Sequence, residues 1–191
     1  MKTVLIHPGY LEGARHFKRL SKMLVENNWK VIIHDCHITT KTPDVSIHIS
    51  HSGGVLCKTL ERAKKPKLIV APPIINHKIK RKMVAKIFGD LRWALNNHEL
   101  VFWAFKTTLS IAMIFSYKKW YFMLTSMKEY SPNLDSVLGE RSIKVIANSD
   151  DPFSRMLCDD TRCITAKGHH DDILYRPKHY VYEAEKLVAR S

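Results

Sequence analysis

One serine stands where its hydroxyl would act as a nucleophile. Ser52 lies in the run Ser50-His51-Ser52-Gly53-Gly54, which follows an apolar segment and precedes a helical one. A serine between a strand and a helix must occupy a very tight turn, and this turn lifts its hydroxyl above the edge of the sheet. Only small residues fit two positions before and after it, and Ser50 and Gly54 are small. The amides at the start of the following helix favour negative charge developing beside the hydroxyl.

The same glycines would also suit a loop that binds a phosphate or a dinucleotide. The dinucleotide fingerprint is absent, however, and no acidic residue follows at the usual distance. The pattern therefore favours a nucleophilic serine. Because a serine hydroxyl is a poor nucleophile by itself, it needs an adjacent base, and a third group must hold that base.

Apolar runs and helical periodicity alternate along the chain and position this serine. Strands are predicted over Thr3–His7, Trp29–His34, Val45–His51, Lys67–Ala71, Ile143–Asn148 and Arg162–Lys167. Helices are predicted over Glu12–Glu26, Gly53–Lys64 and Arg176–Arg190. This alternation predicts an α/β fold, a three-layer sandwich around a mainly parallel sheet of about six strands. Such sheets have their active sites beyond the carboxyl ends of the strands, which is where Ser52 lies.

Four segments, taken in chain order, resemble the α/β-hydrolase superfamily. They are Val4-Leu5-Ile6-His7-Pro8-Gly9-Tyr10, Ser50-His51-Ser52-Gly53-Gly54, Asp151-Pro152-Phe153 and Gly168-His169. The small size and the Asp-Pro-aromatic segment are most similar to the compact serine hydrolases that include the retinoblastoma-binding-protein-9 group. The resemblance implies an α/β-hydrolase type of fold. It also implies lipase- or esterase-like cleavage of a carboxylic ester, or of a related thioester or amide, through an acyl-serine intermediate without a cofactor.

The resemblance implies a role for each matched side chain. Ser52 would be the nucleophile, His169 would take its proton, and Asp151 would orient the imidazole. Asp150 and His170 are the second choices, since two adjacent residues cannot both point at one serine. Asp151 is preferred because it starts the Asp-Pro-aromatic segment, and His169 because it directly follows the glycine of the family's Gly-His loop.

By the same resemblance, two backbone amides would form the oxyanion hole. Gly53 would supply one of them, and the loop after the first strand would supply the other from Gly9 or Tyr10.

No metal site is predicted. Histidines do cluster near two predicted strand ends, but without a recognised ligand spacing, at His34, His37, His48 and His51.

The stretch from 76 to 128 differs from the rest of the chain in its charge and its aromatic content. It carries ten Lys or Arg against two acids, together with ten aromatic residues. It follows the fourth predicted strand, where α/β-hydrolases commonly insert a helical cap. We therefore predict a single α/β-hydrolase domain over 1–191 with a cap insert over 76–128, whose aromatic side lines a pocket for a small acyl substrate.

The formal net charge of +13 indicates an anionic partner or a solvated basic surface. A basic helix beside an apolar one favours an anionic surface or lipid, whereas a nucleic-acid partner would leave the strand-end residues unexplained. The rival function is a non-catalytic α/β-hydrolase-like protein that recruits an anionic partner through this basic face.

The N-terminus lacks an export-signal pattern, and Lys106 interrupts the longest apolar stretch, so a cytoplasmic protein without a transmembrane segment is expected.

Overall fold

The fold is available as a computed structural model that describes residues 1–34, 43–56, 60, 63–72, 79–116 and 142–190. Two predictions fall partly beyond these ranges. Five of the twelve residues of the helix predicted over Gly53–Lys64, and residues 76–78 and 117–128 of the predicted insert, lie outside the described residues.

Six parallel strands form one sheet. They are β1 (Lys2–His7), β2 (Trp29–Ile33), β3 (Ile47–His51), β4 (Lys67–Val70), β5 (Ile143–Asn148) and β6 (Ile164–Ala166). Their spatial order is β2-β1-β3-β4-β5-β6, and each neighbouring pair is parallel. With helices on both sides of the sheet, the predicted three-layer α/β fold is confirmed. β5 has its predicted bounds, and the ends of the other strands differ by only a residue or two.

Three helices pack beside the sheet around the main core. They are α1 (Lys18–Glu26), α4 (Asp172–Tyr175) and α5 (Lys178–Val188), and a 3-10 turn over Ala14–Phe17 precedes α1. α1 buries Leu20 and Leu24, as its predicted apolar stripe requires. The helix stops at Asn27, and the next residue, Asn28, takes a φ of 62°, a left-handed conformation that asparagine tolerates after a helix.

Two further helices, α2 (Ile79–Asn96) and α3 (Leu100–Ile114), lie between β4 and β5 in the chain and pack against each other. In α3 a charged residue faces the interior and apolar residues face solvent, the opposite of an ordinary amphipathic helix. Its buried residue is Lys106, whereas Val101 is 85% exposed. Among the helices within the described ranges, none has the length and apolar content that crossing a membrane requires.

The strand order reverses between β1 and β3, since the chain leaves β1 toward β2 and leaves β3 toward β4. At such a switch point the connections diverge and open a crevice at the carboxyl edge of the sheet. Ser52 follows β3 directly, and the loop containing Gly9 follows β1. The topology therefore brings the two segments to the same crevice.

Gly54 lies where the chain leaving β3 passes close to the end of β1. A Cβ on this residue would stand 2.1 Å from the carbonyl oxygen of His7, so no larger residue fits without moving the backbone. Gly89, on α2, has no neighbouring atom within 4 Å of the equivalent position. The two glycines therefore form a matched pair for testing how tightly the turn is packed.

We expect Gly54→Ala to lower the free energy of unfolding by about 3 kcal/mol or to prevent folding, because the methyl group has no space. Gly89→Ala should raise the same free energy by about 0.5–1 kcal/mol, because alanine is the better helix former. Urea unfolding followed by circular dichroism measures both values. Equal stability of the two variants would contradict the tight turn.

Candidate active site

Ser52 stands at the turn between β3 and a 3-10 segment over Ser52–Leu56, and its backbone is left-handed. Its φ is 50°. This conformation costs a residue other than glycine roughly 1–3 kcal/mol and persists only where the surrounding structure imposes it. The close approach of Gly54 to β1 imposes it here. The sequence-based prediction of a very tight turn at Ser52 agrees with this geometry.

A series of hydrogen bonds runs from Ser52 through His170 to Asp151. The Nε2 atom of His170 lies 2.8 Å from the Oγ atom of Ser52, and its Nδ1 atom lies 3.0 Å from Oδ2 of Asp151. A carboxylate only accepts hydrogen bonds, so Nδ1 carries the proton. In the neutral ring Nε2 is then left as the acceptor for the serine hydroxyl. This is the arrangement in which an imidazole takes a proton from a serine.

Asp151 is fully buried and its carboxylate is saturated with donors. It accepts hydrogen bonds from the amide of Phe153 (2.9 Å) and from the hydroxyl of Ser154 (2.6 Å), besides the bond from His170. Burial raises the pKa of Asp151, but the His170 ring and these hydrogen bonds outweigh burial, and the net pKa lies below its usual value. Asp150, the alternative acid, is exposed.

The predicted contact between His169 and Ser52 is corrected by the structure, because the adjacent histidine occupies that position. The Nδ1 atom of His169 lies 2.8 Å from Oδ1 of Asp90 instead, and its ring contacts that of Trp93 in a tilted arrangement, with centroids 4.7 Å apart. Its backbone carbonyl accepts a hydrogen bond of 2.7 Å from Asn148. The physical reason is that each ring has its own carboxylate partner, Asp90 for His169 and Asp151 for His170, and only the latter ring contacts Ser52.

The predicted oxyanion donors lie beside Ser52, but one of their amides is already engaged. The amide of Gly9 donates a hydrogen bond of 2.7 Å to Oε2 of Glu12, which corrects its expected role as an oxyanion donor. The ring of Tyr10 covers Gly53, where a Cβ would stand 2.6 Å from the ring. Gly53 and Tyr10, the other two predicted residues, lie next to the serine.

A buried ion pair that the sequence did not indicate lies behind the serine. The Nδ1 atom of His51 is 2.8 Å from Oε1 of Glu12 and 2.9 Å from Oε2, and both side chains are buried. Burial alone would raise the pKa of Glu12, but the attraction of His51 lowers it to about 2. Burial alone would likewise lower the pKa of His51, and the carboxylate of Glu12 raises it to about 9. Both groups are thus charged at neutral pH.

Further buried charges surround Asp171, the residue after His170. Its Oδ2 atom accepts hydrogen bonds from Lys86 (2.6 Å) and from Lys106, and both ammoniums also contact Asp90, at 2.9 Å and 3.1 Å. Burial raises the pKa of Asp171, but the two ammoniums hold it well below its usual value. Burial lowers the pKa of Lys86, and the two carboxylates outweigh it and raise that pKa.

His51, His170 and Asp171 have potential metal-ligand atoms within 4.8 Å of one another. Their surroundings do not suit a cation, however. His51 is itself held as a cation by Glu12, and Asp171 is already neutralised by two ammoniums. The third residue is engaged as well, since His170 bonds to Ser52 and Asp151.

Sequence reasoning missed Glu12, Lys86, Asp90 and Lys106. Only Lys106 left a signal, as the one charge within the apolar stretch Leu100–Phe115. A lone charge in an apolar helix commonly marks a buried polar contact. Its partners could not be identified, because Asp90 and Asp171 lie 16 and 65 positions away along the chain.

Comparison with solved structures agrees with this fold. The chain is similar to MGS-M2, described as an alpha/beta hydrolase enzyme from a Medee basin deep-sea metagenome library, with a TM-score of 0.61 and 10% sequence identity. The match covers 100% of this chain and 90% of that one. At this identity, the likeness shows an α/β-hydrolase-like fold. No protein-family model and no curated protein sequence matches the chain.

The Glu12–His51 pair makes stability depend on pH in a defined direction. The pKa of Glu12 is lowered from 4.5 to about 2, so its contribution is present above pH 4.5 and is lost as the pH falls through 2. The pKa of His51 is raised from 6.5 to about 9, so its contribution is present below pH 6.5 and is lost as the pH rises through 9. The pair therefore contributes most to the free energy of unfolding between pH 4.5 and pH 6.5.

We expect the free energy of unfolding of the wild-type protein to fall by roughly 3 kcal/mol between pH 6.5 and pH 9 through this pair. In Glu12→Gln the fall over the same range should be much smaller, because His51 no longer holds its proton. Urea unfolding at several pH values measures the slopes. Glu183→Gln, which removes another buried carboxylate, should keep the wild-type slope. Equal slopes for wild type and Glu12→Gln would contradict the pairing.

Proposed function

We propose that this chain is a serine hydrolase that cleaves a carboxylic ester, or a related acyl bond, through an acyl-serine intermediate. The observation that carries the proposal is the hydrogen-bonded series from Ser52 through His170 to Asp151 at the carboxyl edge of the sheet. The strained backbone of Ser52 supports it, because such strain is concentrated at functional positions. The α/β-hydrolase-like fold is consistent with it.

In the proposed reaction, Oγ of Ser52 attacks the acyl carbon while Nε2 of His170 takes its proton. The bond to the leaving alcohol then breaks, and the imidazolium returns the proton to that alcohol. Water attacks the acyl-serine while the same imidazole takes its proton. The Oγ–acyl bond then breaks, the imidazolium returns the proton to Oγ, and the carboxylic acid leaves. Asp151 stabilises the imidazolium, and the amides of Gly53 and Tyr10 stabilise the negative oxygen that develops in each step.

The rival function is a non-catalytic binding protein with this fold. The protonation pattern of His170 favours the enzyme, because Asp151 fixes the tautomer in which Nε2 accepts from Ser52. A binding protein has no use for this tautomer or for a strained serine. A fluorophosphonate probe distinguishes the two functions directly, since it reacts only with an activated serine.

We expect wild-type protein to be labelled by a fluorophosphonate and to hydrolyse a short-chain activated ester. Ser52→Ala should lose labelling, and His170→Asn should lower kcat by about 10³-fold or more, because the base and the nucleophile act as a unit. His169→Asn is the matched control on the same loop and should keep most of the activity. Absence of labelling and of ester cleavage in the wild type would exclude the proposal. Greater loss in His169→Asn than in His170→Asn would reverse the assignment of the base.

We also propose that α2 and α3 belong to a cap that borders the acyl pocket. Its support is a set of contacts that join both helices to the loop bearing His170. Lys86 from α2 and Lys106 from α3 bond to Asp171, and the ring of Trp93 from α2 contacts that of His169. The cap is therefore attached directly beside the reacting groups.

The outward side of these helices supports an anionic lipid surface as the place where substrate is met. Val101 and Phe115 are 85% and 86% exposed, and Phe88 is 66% exposed. The stretch 76–128, to which they belong, carries ten basic residues against two acidic ones. Apolar side chains flanked by basic ones bind the interface of a membrane that contains anionic lipid.

Salt should separate this surface function from catalysis on a soluble substrate. Binding to anionic vesicles should weaken clearly between low and physiological ionic strength, because exposed charges are screened over about 8–10 Å. Cleavage of a neutral short-chain ester should hardly change over the same range. Vesicle sedimentation and ester kinetics at matched salt concentrations measure the two effects. Equal salt sensitivity would mean that the basic residues form only a solvated surface.

A further inference from the structure

Three separate segments must be held in register for the proposed reaction. The loop after β1 carries Tyr10, β3 ends at the nucleophile, and the loop before α4 carries His170. Errors of about 1 Å in such an arrangement lower reaction rates by about 100-fold. One buried pair of side chains touches all three segments, and that pair is Glu12 and His51.

The contacts of the pair form a continuous path. Oε2 of Glu12 accepts the amide of Gly9 at 2.7 Å and the Nδ1–H of His51 at 2.9 Å. The Nε2–H of His51 donates to the backbone carbonyl of His170 at 3.0 Å. The amide of Glu12 in turn donates to the carbonyl of Gly9 at 3.2 Å, which closes the turn. Every link in the path is a directional hydrogen bond.

These partners determine the protonation of His51. Both of its ring nitrogens face groups that can only accept, a carboxylate and a carbonyl. Both nitrogens therefore carry a proton, and the ring is an imidazolium. A neutral ring would leave one of the two contacts without a hydrogen, so the path requires the charge on Glu12.

The pair lies directly against the proposed site. A Cβ on Gly9 would stand 3.0 Å from Glu12 and 3.1 Å from the Cβ of Ser52, so Gly9 lies closely packed between the pair and the serine. The ring of His51 lies 5.2 Å from the ring of His170. An apolar pair of similar volume would fill the space as favourably, but it would supply no directional bonds to the two loops.

We propose that Glu12 and His51 are positioning residues that hold two loops in register with Ser52. One is the loop after β1, which carries Gly9 and Tyr10, and the other is the loop before α4, which carries His170. The inference rests on the proposed function, because it concerns the same site. Neither side chain touches the substrate in this scheme. Glu12 orients the peptide that precedes Tyr10, and His51 orients the backbone that carries the proposed base.

The groups that face His51 come from several elements. Glu12 precedes α1, Phe17 lies 6.1 Å away in the 3-10 turn, and Oδ1 of Asp171 is 4.0 Å from Nε2. Asp171 is neutralised by the two ammoniums that bond to it. Glu12 is therefore the carboxylate on which the charge of His51 depends, and its removal should move the titration of His51 toward neutral pH.

Steady-state hydrolysis of p-nitrophenyl acetate by the full chain tests the proposal. Glu12→Gln should lower kcat about 10- to 100-fold with KM within about twofold, because the aligned geometry is lost while the pocket remains. The fall of kcat at alkaline pH should move to lower pH in this variant, and Glu12→Asp, which keeps the charge, should restore its position. Glu183→Gln, a buried carboxylate on α5, should change neither quantity.

If Glu12→Gln only reduced the amount of folded protein, activity would fall but the alkaline pH at which kcat declines would stay the same. A shift of that pH therefore distinguishes positioning from a merely structural effect. The proposal would be overturned if Glu12→Gln kept the wild-type kcat and the wild-type pH of the alkaline decline. Failure of the proposed function gives a different result, namely no fluorophosphonate labelling of the wild type.

Nitrogen NMR of the wild-type histidines decides the matter even if the variant does not fold or the chain is inactive. We expect both ring nitrogens of His51 to stay protonated through pH 8, and the amide of Gly9 to be protected from hydrogen exchange. A His51 ring that titrates near its ordinary pKa, or an unprotected Gly9 amide, would overturn the proposal without reference to activity.

Discussion

The ammonium of Lys106 lies between two buried carboxylates, Asp90 and Asp171, and the arrangement of the carboxyl edge depends on that contact. Asp171 directly follows His170, so whatever holds Asp171 also holds the residue that meets Ser52. Removing one partner from a buried ion pair leaves an uncompensated charge, which costs about 3–5 kcal/mol. The loop is therefore attached to α3 by electrostatics, and the ring of Phe102 from the same helix contacts Tyr175 nearby, at 4.9 Å.

Six charged groups at this edge pair with one another, while a further buried carboxylate, Asp151, is held by His170. Three carboxylates face three cations, with Glu12, Asp90 and Asp171 opposite His51, Lys86 and Lys106. Because charges are costly to desolvate singly, such a set is stable only when each member keeps its partner. The balance explains how a strongly basic chain buries so many ionised groups beside its proposed active site.

The same network accounts for the reversed polarity of α3. A helix that packs its apolar face inward needs no buried lysine, but Lys106 must reach Asp171, and this requirement sets the rotation of the helix. Val101, on the opposite side, is then turned toward solvent. The charge contact at the proposed site thus determines which surface the proposed cap presents outside. The rotation that brings Lys106 to Asp171 also exposes the proposed lipid surface.

The sequence by itself determined the local features. Apolar runs and helix stops predicted the six strands to within a residue or two, because buried strands and amphipathic helices have short-range periodicity. The tight turn at Ser52 was also readable, since the small residues around it are a local requirement. The order of the matched segments then sufficed to bring the proposed acid and nucleophile to one edge.

Tertiary structure alone decided the choice between His169 and His170. The two are adjacent and equally polar, and the motif favoured His169 only because it follows Gly168, so the choice depended on the partners that each ring meets in the folded loop. The ring of His169 bonds to Asp90, and the ring of His170 bonds to Asp151. The Glu12–His51 pair likewise joins positions 39 apart, and the Lys106–Asp171 pair joins positions 65 apart. A single sequence contains no local signal for such contacts, because they form only when the sheet brings its loops together.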